Sequence, residues 1–216
     1  MADPTADSTA KAALTDRVFG AKLAAPALAI LRAAVQQRWS RAEDLAEGLE
    51  EIGVRVIAQA SDSDRLGDEL FAFAAAVSSD AQLELALRSK LAGADAKVGV
   101  VDRLLTGRLS PEAVAIARQL VGDPRGRGLR ESLRWAQQTI ADQRNAVLAT
   151  VTSARPLSDG QLERLRRVFA SRYGKSVAFN TVIDPSIVGG LRVQVGDDVI
   201  DSSIATRLAD VRLQLA

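Results

Sequence analysis

The chain has 216 residues, enough for one large or two small domains, and it contains neither cysteine nor histidine. Disulfides, thiol nucleophiles, imidazole bases and the usual zinc sites are therefore excluded. Its 28 basic and 27 acidic residues leave a net charge of +1, which gives no electrostatic reason to expect nucleic acid or an anionic membrane as the main partner.

Nothing in the sequence has the length and hydropathy of a membrane anchor. The start, from Met1 to Asp7, is polar and acidic, unlike a signal peptide. The longest apolar run, Leu23 to Leu31, ends at Arg32 and falls well short of the ~20 residues that span a bilayer. We therefore expect any link to a membrane to be indirect.

Helical periodicity dominates the chain as far as about residue 145. A capping box formed by Ser40 and Glu43 predicts the start of a helix over 43–60. The apolar stripe of this helix comprises Leu45, Leu49, Ile52, Val56 and Ala60. A second helix is predicted after Ser61–Ser63, and its apolar face comprises Leu66, Leu70, Phe73 and Val77.

Four more helices are predicted before residue 145. The third begins near Ser79 and stops at Gly93, with the apolar residues Leu83, Leu87 and Leu91. The fourth covers 95–106, with Val98, Val101 and Leu105. Ser110 followed by Pro111 predicts the start of the fifth, whose apolar face comprises Val114, Ala117 and Val121. The glycine-rich run 122–128 separates it from the sixth, which carries Leu129, Leu133, Ala136 and Ile140.

After Asn145 the hydrophobic period changes from 3.6 to 2, which predicts a small mixed α/β region. A strand over Ala146–Thr152 is followed by a helix that opens at a Ser158–Gln161 capping box and stops at Gly174. Two alternating strands and a short one follow. The last predicted helix begins at Ser202 or Ser203 and carries Ile204, Leu208, Val211 and Leu215.

The helical region contains an internal repeat. A shift of 86 places residues 10–35 on residues 96–121, and ten of the 26 positions are identical. The matches include charged residues in register with apolar ones, such as Asp16 with Asp102 and Arg32 with Arg118. We therefore expect residues 1–42 to be the tail of a first helical copy whose front is missing, as in a fragment or a piece of a longer fused protein.

Motifs that would carry chemistry fail on inspection. Asp62 to Gly67 begins like a calcium loop, but Leu66 and Phe73 stand where the loop needs oxygen ligands. No glycine-rich phosphate motif occurs. The basic loop 122–128 and the basic face Arg164–Arg167 are interpreted as a connection and a solvated surface, because no aromatic residues interleave with them for base stacking.

The specific signal lies near the carboxyl end. The run from Asp184 to Ser203 resembles the signature of the delta subunit family of F-type ATP synthases, whose mitochondrial relative is the oligomycin sensitivity-conferring protein. In the family the pattern is roughly D-P-x-L-x-G-G-h-x-h-x-h-G-D-x-h-I-D-G-S, with h apolar, and Ser202 departs from it where glycine is usual. The motif residues with local structural roles are Asp184, Pro185, Gly189, Gly190, Gly196, Asp201 and Ser203.

The helical region is similar to the same family. Residues 43–144 resemble its six-helix amino-terminal domain, so the predicted fold class is α+β: a partial repeat over 1–42, a six-helix domain over 43–145 and a small mixed α/β domain over 146–216. The partial extra copy resembles actinobacterial versions, in which this domain is duplicated and, in some lineages, fused behind a membrane-anchored b-type segment.

The resemblance implies a non-catalytic stator subunit without cofactor or metal, held peripherally at the cytoplasmic face of the bacterial plasma membrane. The family implies that an amino-terminal helix of an alpha subunit binds in a groove between helices 43–60 and 110–122, and that the α/β domain contacts the b-type peripheral stalk. The implied contact residues are Leu45, Leu49, Ile52, Val56, Val114, Ala117, Val121, Leu208, Val211 and Leu215.

Two other functions stay open at this point. Six-helix domains of this shape also resemble a bacterial antitermination protein, and the loop 122–128 together with Arg164, Arg166 and Arg167 could meet RNA phosphates. A hydrolase that uses only carboxylates is the third hypothesis, but no pair of acidic residues supports it.

Overall fold

In the computed structural model, residues 7–61, 65–89 and 91–203 are described. The chain divides into two compact units, Met1–Ile57 and Ala58–Ala216. Within the described ranges no single helix is long and apolar enough to cross a membrane, although α4 (Leu66–Ser79) and α5 (Ala81–Arg88) meet the length and composition test as a pair bent by 104°.

The first unit is a helical hairpin followed by most of a third helix. The hairpin comprises α1 (Ser8–Phe19) and α2 (Ala25–Gln36), and α3 (Ala42–Ala60) follows it. Asp7 caps α1 by accepting a hydrogen bond from the backbone N–H of Ala10 at 3.0 Å. The buried apolar residues that join α2 to α3 are Ala34, Val35 and Leu45, with Leu31, Trp39 and Leu49 packed against them.

The start and the buried face of α3 differ from the prediction. The helix begins at Ala42, and the carboxylate of Asp44 accepts from the N–H of Arg41 at 3.1 Å, so the capping interaction lies one residue later than Ser40 and Glu43. Leu45 is buried, but Val56 and Ala60 are exposed, because the second half of the helix buries Val54 and Ala58 instead.

In its described residues, the second unit contains the end of α3 and five further helices before its sheet. These are α4, α5, α6 (Ala94–Leu105), α7 (Pro111–Gly122) and α8 (Leu129–Gln143). Helix α4 packs on α7 and α8, and α6 packs on α7. The residues predicted for the face of α4 are all buried, namely Leu66, Leu70, Phe73 and Val77.

Helix α5 is shorter than predicted. It begins after Asp80, whose carboxylate accepts from the N–H groups of Gln82 and Leu83, and it ends at Arg88 rather than near Gly93. The backbone turns extended at Ser89, and Leu91 is 99% exposed. The apolar spacing of Leu91 was therefore misleading, because the chain leaves the helix before reaching it.

A four-stranded mixed sheet follows the helices, in the order β2-β1-β3-β4. Its strands are β1 (Ala146–Ser153), β2 (Ser176–Ile183), β3 (Leu191–Val195) and β4 (Asp198–Asp201). β1 and β2 are parallel and are connected through α9 (Asp159–Tyr173), whereas β3 pairs antiparallel with both β1 and β4. The predicted α+β class and the order of these five elements are confirmed.

One face of the sheet is covered by α9. Phe169 of this helix packs with Ala149, Val151 and Val193, which are fully buried, and its ring meets Phe179 edge-on at 6.0 Å. The Ser158–Gln161 capping box is present, and Gly174 ends the helix in the left-handed conformation at φ 65°. Both predicted ends of α9 are thus correct.

The sheet is also tied to the helices. The side-chain amide of Asn180 on β2 donates to the side-chain oxygen of Gln137 on α8 at 2.7 Å, and both residues are buried. Only Arg144 and Asn145 separate α8 from β1. This junction makes the helices and the sheet of the second unit continuous.

Candidate partner-binding surfaces

The start of α7 is fixed by its neighbour α4. Ser110 caps α7, its hydroxyl accepts from the N–H of Ala113 at 3.2 Å, and Pro111 follows in the first turn, as predicted. The hydroxyl of Ser110 also donates to the carboxylate of Glu69, which accepts a second hydrogen bond from the Ser110 N–H at 3.2 Å. The amino-terminal half of α7 therefore lies beside the first turn of α4.

The apolar face of α7 is core rather than surface. Val114, Ala117 and Val121, which were expected to contact a partner helix, are buried at 5%, 0% and 4% exposure. A partner cannot reach them in this fold, because α4, α6 and α8 pack against the helix. The residues that α7 does expose include no large apolar side chain, namely Pro111, Ala115, Arg118 and Gln119.

On α3 one predicted contact residue presents substantial apolar surface. Val56 is 45% exposed, whereas Leu45 is buried and Leu49 and Ile52 are half-buried. Beside Val56, Arg55 pairs with Glu51 at 2.7 Å across one helical turn. Leu85 on α5 is also exposed and was not among the predicted contact residues. The sequence does not reveal it, because apolar spacing does not show which apolar residues face solvent.

The basic loop between α7 and α8 is held by its own contacts. The guanidinium of Arg127 lies 4.4 Å from the centre of the Trp135 ring, and Arg125 pairs with Asp123 at 3.1 Å. On α9, Arg166 pairs with Glu163. These contacts favour the interpretation of both basic segments as ordinary structure and surface.

The signature segment begins as a tight turn after β2. The N–H of Asp184 donates to the carbonyl of Ser153 at 2.9 Å and so extends the sheet ladder by one bond. Its carboxylate accepts from the N–H of Ser186 at 2.9 Å. Side-chain and backbone hydrogen bonds from Ser186 hold the pKa of Asp184 below its usual range. The adjacent Pro185 is exposed.

Gly190 is the position where this segment needs glycine. Its φ is 82°, and an added Cβ would lie 2.4 Å from the carbonyl oxygen of Ser202 and 2.8 Å from the Cα of Ser203. The N–H of Ser202 donates to the carbonyl of Leu191 at 2.9 Å, so the two backbones run side by side. Only a residue without a side chain permits this approach. Gly189 precedes it, and Gly196 at φ 58° turns β3 into β4.

Asp201 anchors the exit from β4. Its carboxylate accepts from the N–H of Ser203 at 2.9 Å and, on its other oxygen, from Nε and Nη2 of Arg192 at 3.0 and 2.9 Å. The Ser203 bonds and then the Arg192 bond hold the pKa of Asp201 far below its usual value. Ser203 is buried, so these residues of the signature form a structural clasp between β3, β4 and residues 202–203.

Two exposed apolar residues lie in or beside the signature segment: Val188 lines the same cavity as Arg192 and Asp201, and Ile183 precedes Asp184. We call Ile183 and Val188, which are 55% and 79% exposed, the sheet-end patch. Val199 on β4 is also 56% exposed, but the strand register puts it on the opposite face of the sheet from Ile183. The further predicted contacts Leu208, Val211 and Leu215, with the final predicted helix, lie outside the described residues, as do Asp62 and Asp64 of the rejected calcium loop. In the described part of the chain, no three acidic side chains are grouped so as to hold a metal ion.

Comparison with known proteins gives one consistent result. Residues 54–215 match the family described as "ATP synthase delta (OSCP) subunit". A protein named ATP synthase subunit delta from Leifsonia xyli is 50% identical over 217 residues, which is 100% of this chain and 82% of the relative. Proteins of the same name from Streptomyces avermitilis and Acidothermus cellulolyticus are 38% and 39% identical, again over 100% of this chain and over 81% and 80% of those relatives.

Proposed function

The chain belongs to the ATP synthase delta (OSCP) subunit family, and from this membership we propose that it couples proton flow to ATP synthesis by holding the catalytic head against rotation. It is a non-catalytic stator subunit of a membrane-associated complex. The observation that carries this function is the family match across 54–215, which includes the signature clasp. We place the subunit at the cytoplasmic face of the membrane.

The first proposed partner is the amino-terminal helix of an alpha subunit. We assign this contact to the helical region and, on α3, to Val56, because an apolar side chain that is 45% exposed can be buried by an amphipathic helix. The buried residues of α7 have no part in the contact. Burial of apolar surface supplies affinity that a net charge of +1 cannot.

The second proposed partner is the carboxyl-terminal end of a b-type stalk subunit, and we assign it to the sheet-end patch. Ile183 ends β2 and Val188 lies in the signature segment. A patch of exposed apolar residues on a folded sheet end is a typical protein–protein contact. The two partners therefore use different regions of the chain.

Two substitutions separate these contacts. We expect Val56→Asp to weaken capture of a synthetic alpha amino-terminal peptide about tenfold and to leave capture of a b carboxyl-terminal peptide unchanged, since it introduces a charge into an apolar contact. Val188→Asp should do the reverse. Calorimetric titration of both peptides against both variants measures this, and Val168→Asp, at an exposed valine of α9, serves as the matched control.

The function itself is tested on membranes stripped of this subunit. Added back, the chain should restore proton pumping driven by ATP hydrolysis, whereas membranes without it should hydrolyse ATP with little pumping. Equal coupling with and without the chain contradicts the stator function. If Val56→Asp weakens binding of the b peptide and Val188→Asp weakens binding of the alpha peptide, the stator function stands and only the assignment of the partners is contradicted.

A further inference from the structure

The hairpin of α1 and α2 is a second copy of the hairpin of α6 and α7. The two hairpins share an ion pair between their helices. Nε of Arg32 donates to Asp16, and Nε of Arg118 donates to Asp102 in the same way, each pair 16 residues apart. Lys11 and Lys97 also occupy matching positions. The repeat in the sequence is thus a repeat in structure, and the environments of the two hairpins can be compared residue by residue.

Equivalent residues differ in burial on the second helix of each hairpin. On α7, Ala113, Ile116 and Ala117 are at most 2% exposed. Their counterparts on α2 are Ala27, which is exposed, and Ile30 and Leu31, which are only partly covered. We call Ala27, Ile30 and Leu31 the α2 face. Because two of the three residue pairs are identical, the difference arises from the neighbours.

The neighbour of α7 at this position is α4. The hydrogen bonds between Ser110 and Glu69 place the start of α7 beside the first turn of α4, and α8 flanks the other side. Within residues 7–57, α3 follows α2 as α8 follows α7, but no helix stands in the place of α4. The apolar side of the α2 face is therefore left open.

The charge at the start of α2 also favours a helix like α4 as its neighbour. Ala24 stands where α7 has Ser110, so α2 has no side-chain cap, and its first turn contains no acidic residue. Its partly positive amino-terminal N–H groups favour a nearby carboxylate. Helix α4 carries such carboxylates in its first turn, at Asp68 and Glu69.

The size of the core gives an independent reason for a missing neighbour. Among the described residues, the buried apolar cluster that joins α2 to α3 comprises Ala34, Val35 and Leu45, with Leu31, Trp39 and Leu49 packed against it. Units of this length bury a small share of their surface and are marginally stable without further contacts. An additional helix on the α2 face would enlarge this core.

We infer that the α2 face binds an amphipathic helix with the chemistry of α4. This helix has apolar residues at i, i+4, i+7 and i+11, like Leu66, Leu70, Phe73 and Val77, and acidic residues in its first turn. Its apolar side covers Ala27 and Ile30, and its carboxylate satisfies the start of α2. The inference rests on the repeat and not on the proposed stator function.

A synthetic peptide with the sequence of residues 65–80 is the probe. Added to the full chain, it should bind saturably and slow amide hydrogen exchange about tenfold in residues 25–36. A peptide with Leu70→Asp and Phe73→Asp should not bind. In the chain, Ile30→Asp should weaken binding about tenfold, whereas Ala29→Asp, on the exposed side of α2, should leave it unchanged.

Three results overturn the inference: no binding of the peptide, slower exchange in α7 instead of α2, or a shift of the free chain to a dimer that the peptide does not disrupt. The last result assigns the α2 face to a second copy. Circular dichroism checks whether Ile30→Asp is folded. If that variant is unfolded, Ala27→Glu, at an exposed position of the α2 face, replaces it and should weaken peptide binding in the same way. Since no other ATP synthase subunit is present, failure here is distinct from failure of the stator function.

Discussion

Individual residues of the signature segment act on the backbone rather than on a substrate. Gly190 permits two stretches of main chain to pass at contact distance, and Asp201 joins the end of β4 to Arg192 on β3. Both roles are satisfied within the chain. The strength of the motif as a family marker therefore reflects a demanding local geometry.

Gly190→Ala tests this geometry. The new Cβ would lie 2.4 Å from the Ser202 carbonyl oxygen at φ 82°, so we expect the free energy of unfolding to fall by about 1–3 kcal/mol. Urea unfolding followed by circular dichroism measures the change. Gly160→Ala is the matched control, because that glycine lies in α9 with nothing within 4 Å of an added Cβ. An equal loss in both variants contradicts the argument.

Asp201 predicts a pH dependence. Because its pKa is lowered in the folded state, its contribution to stability is fully present above the unfolded pKa of about 3.9 and is lost as the pH falls toward the folded pKa. Asp201→Asn removes this contribution. The free energy of unfolding, measured in urea between pH 6 and 3, should then fall less steeply for the variant than for the unmodified chain; parallel curves would refute the assignment.

At the scale of elements, the ends of helices follow from short local signals and their packing does not. Ser110, the Ser158–Gln161 box and Gly174 each end or begin a helix where the sequence predicts, because the groups that satisfy the terminal N–H and C=O atoms lie within four residues. The bond between Asn180 and Gln137 joins residues 43 apart. No local pattern predicts it.

That bond gives a further prediction. Gln137→Ala leaves the buried amide of Asn180 without this acceptor, so we expect a loss of about 1–3 kcal/mol in the free energy of unfolding. Gln138→Ala removes only an exposed bond to Asp142 and should change stability by no more than about 0.5 kcal/mol. Denaturant unfolding of both variants checks the difference. If Gln137→Ala and Gln138→Ala change stability equally, the contact between α8 and β2 does not depend on the hydrogen bond between Asn180 and Gln137.

For the whole molecule, the sequence predicts the α+β class and the order of elements but not which apolar faces are covered. Ile30 and Ile116 are the same residue in the same repeat, yet Ile116 is buried and Ile30 is only partly covered. Burial of Ile116 depends on packing by another helix, which the periodicity of a single segment does not predict. Val114, Ala117 and Val121, which the family resemblance implied as contact residues, are likewise covered by neighbouring helices.

The short passage from α8 into β1 has a mechanical consequence. A stator transmits force between the parts it connects, and a slack tether within it would lengthen before it transmitted that force. Two connecting residues and the buried hydrogen bond from Asn180 to Gln137 leave no such slack between α8 and the sheet. On the proposed stator function, we therefore expect this portion of the chain to act as a stiff link.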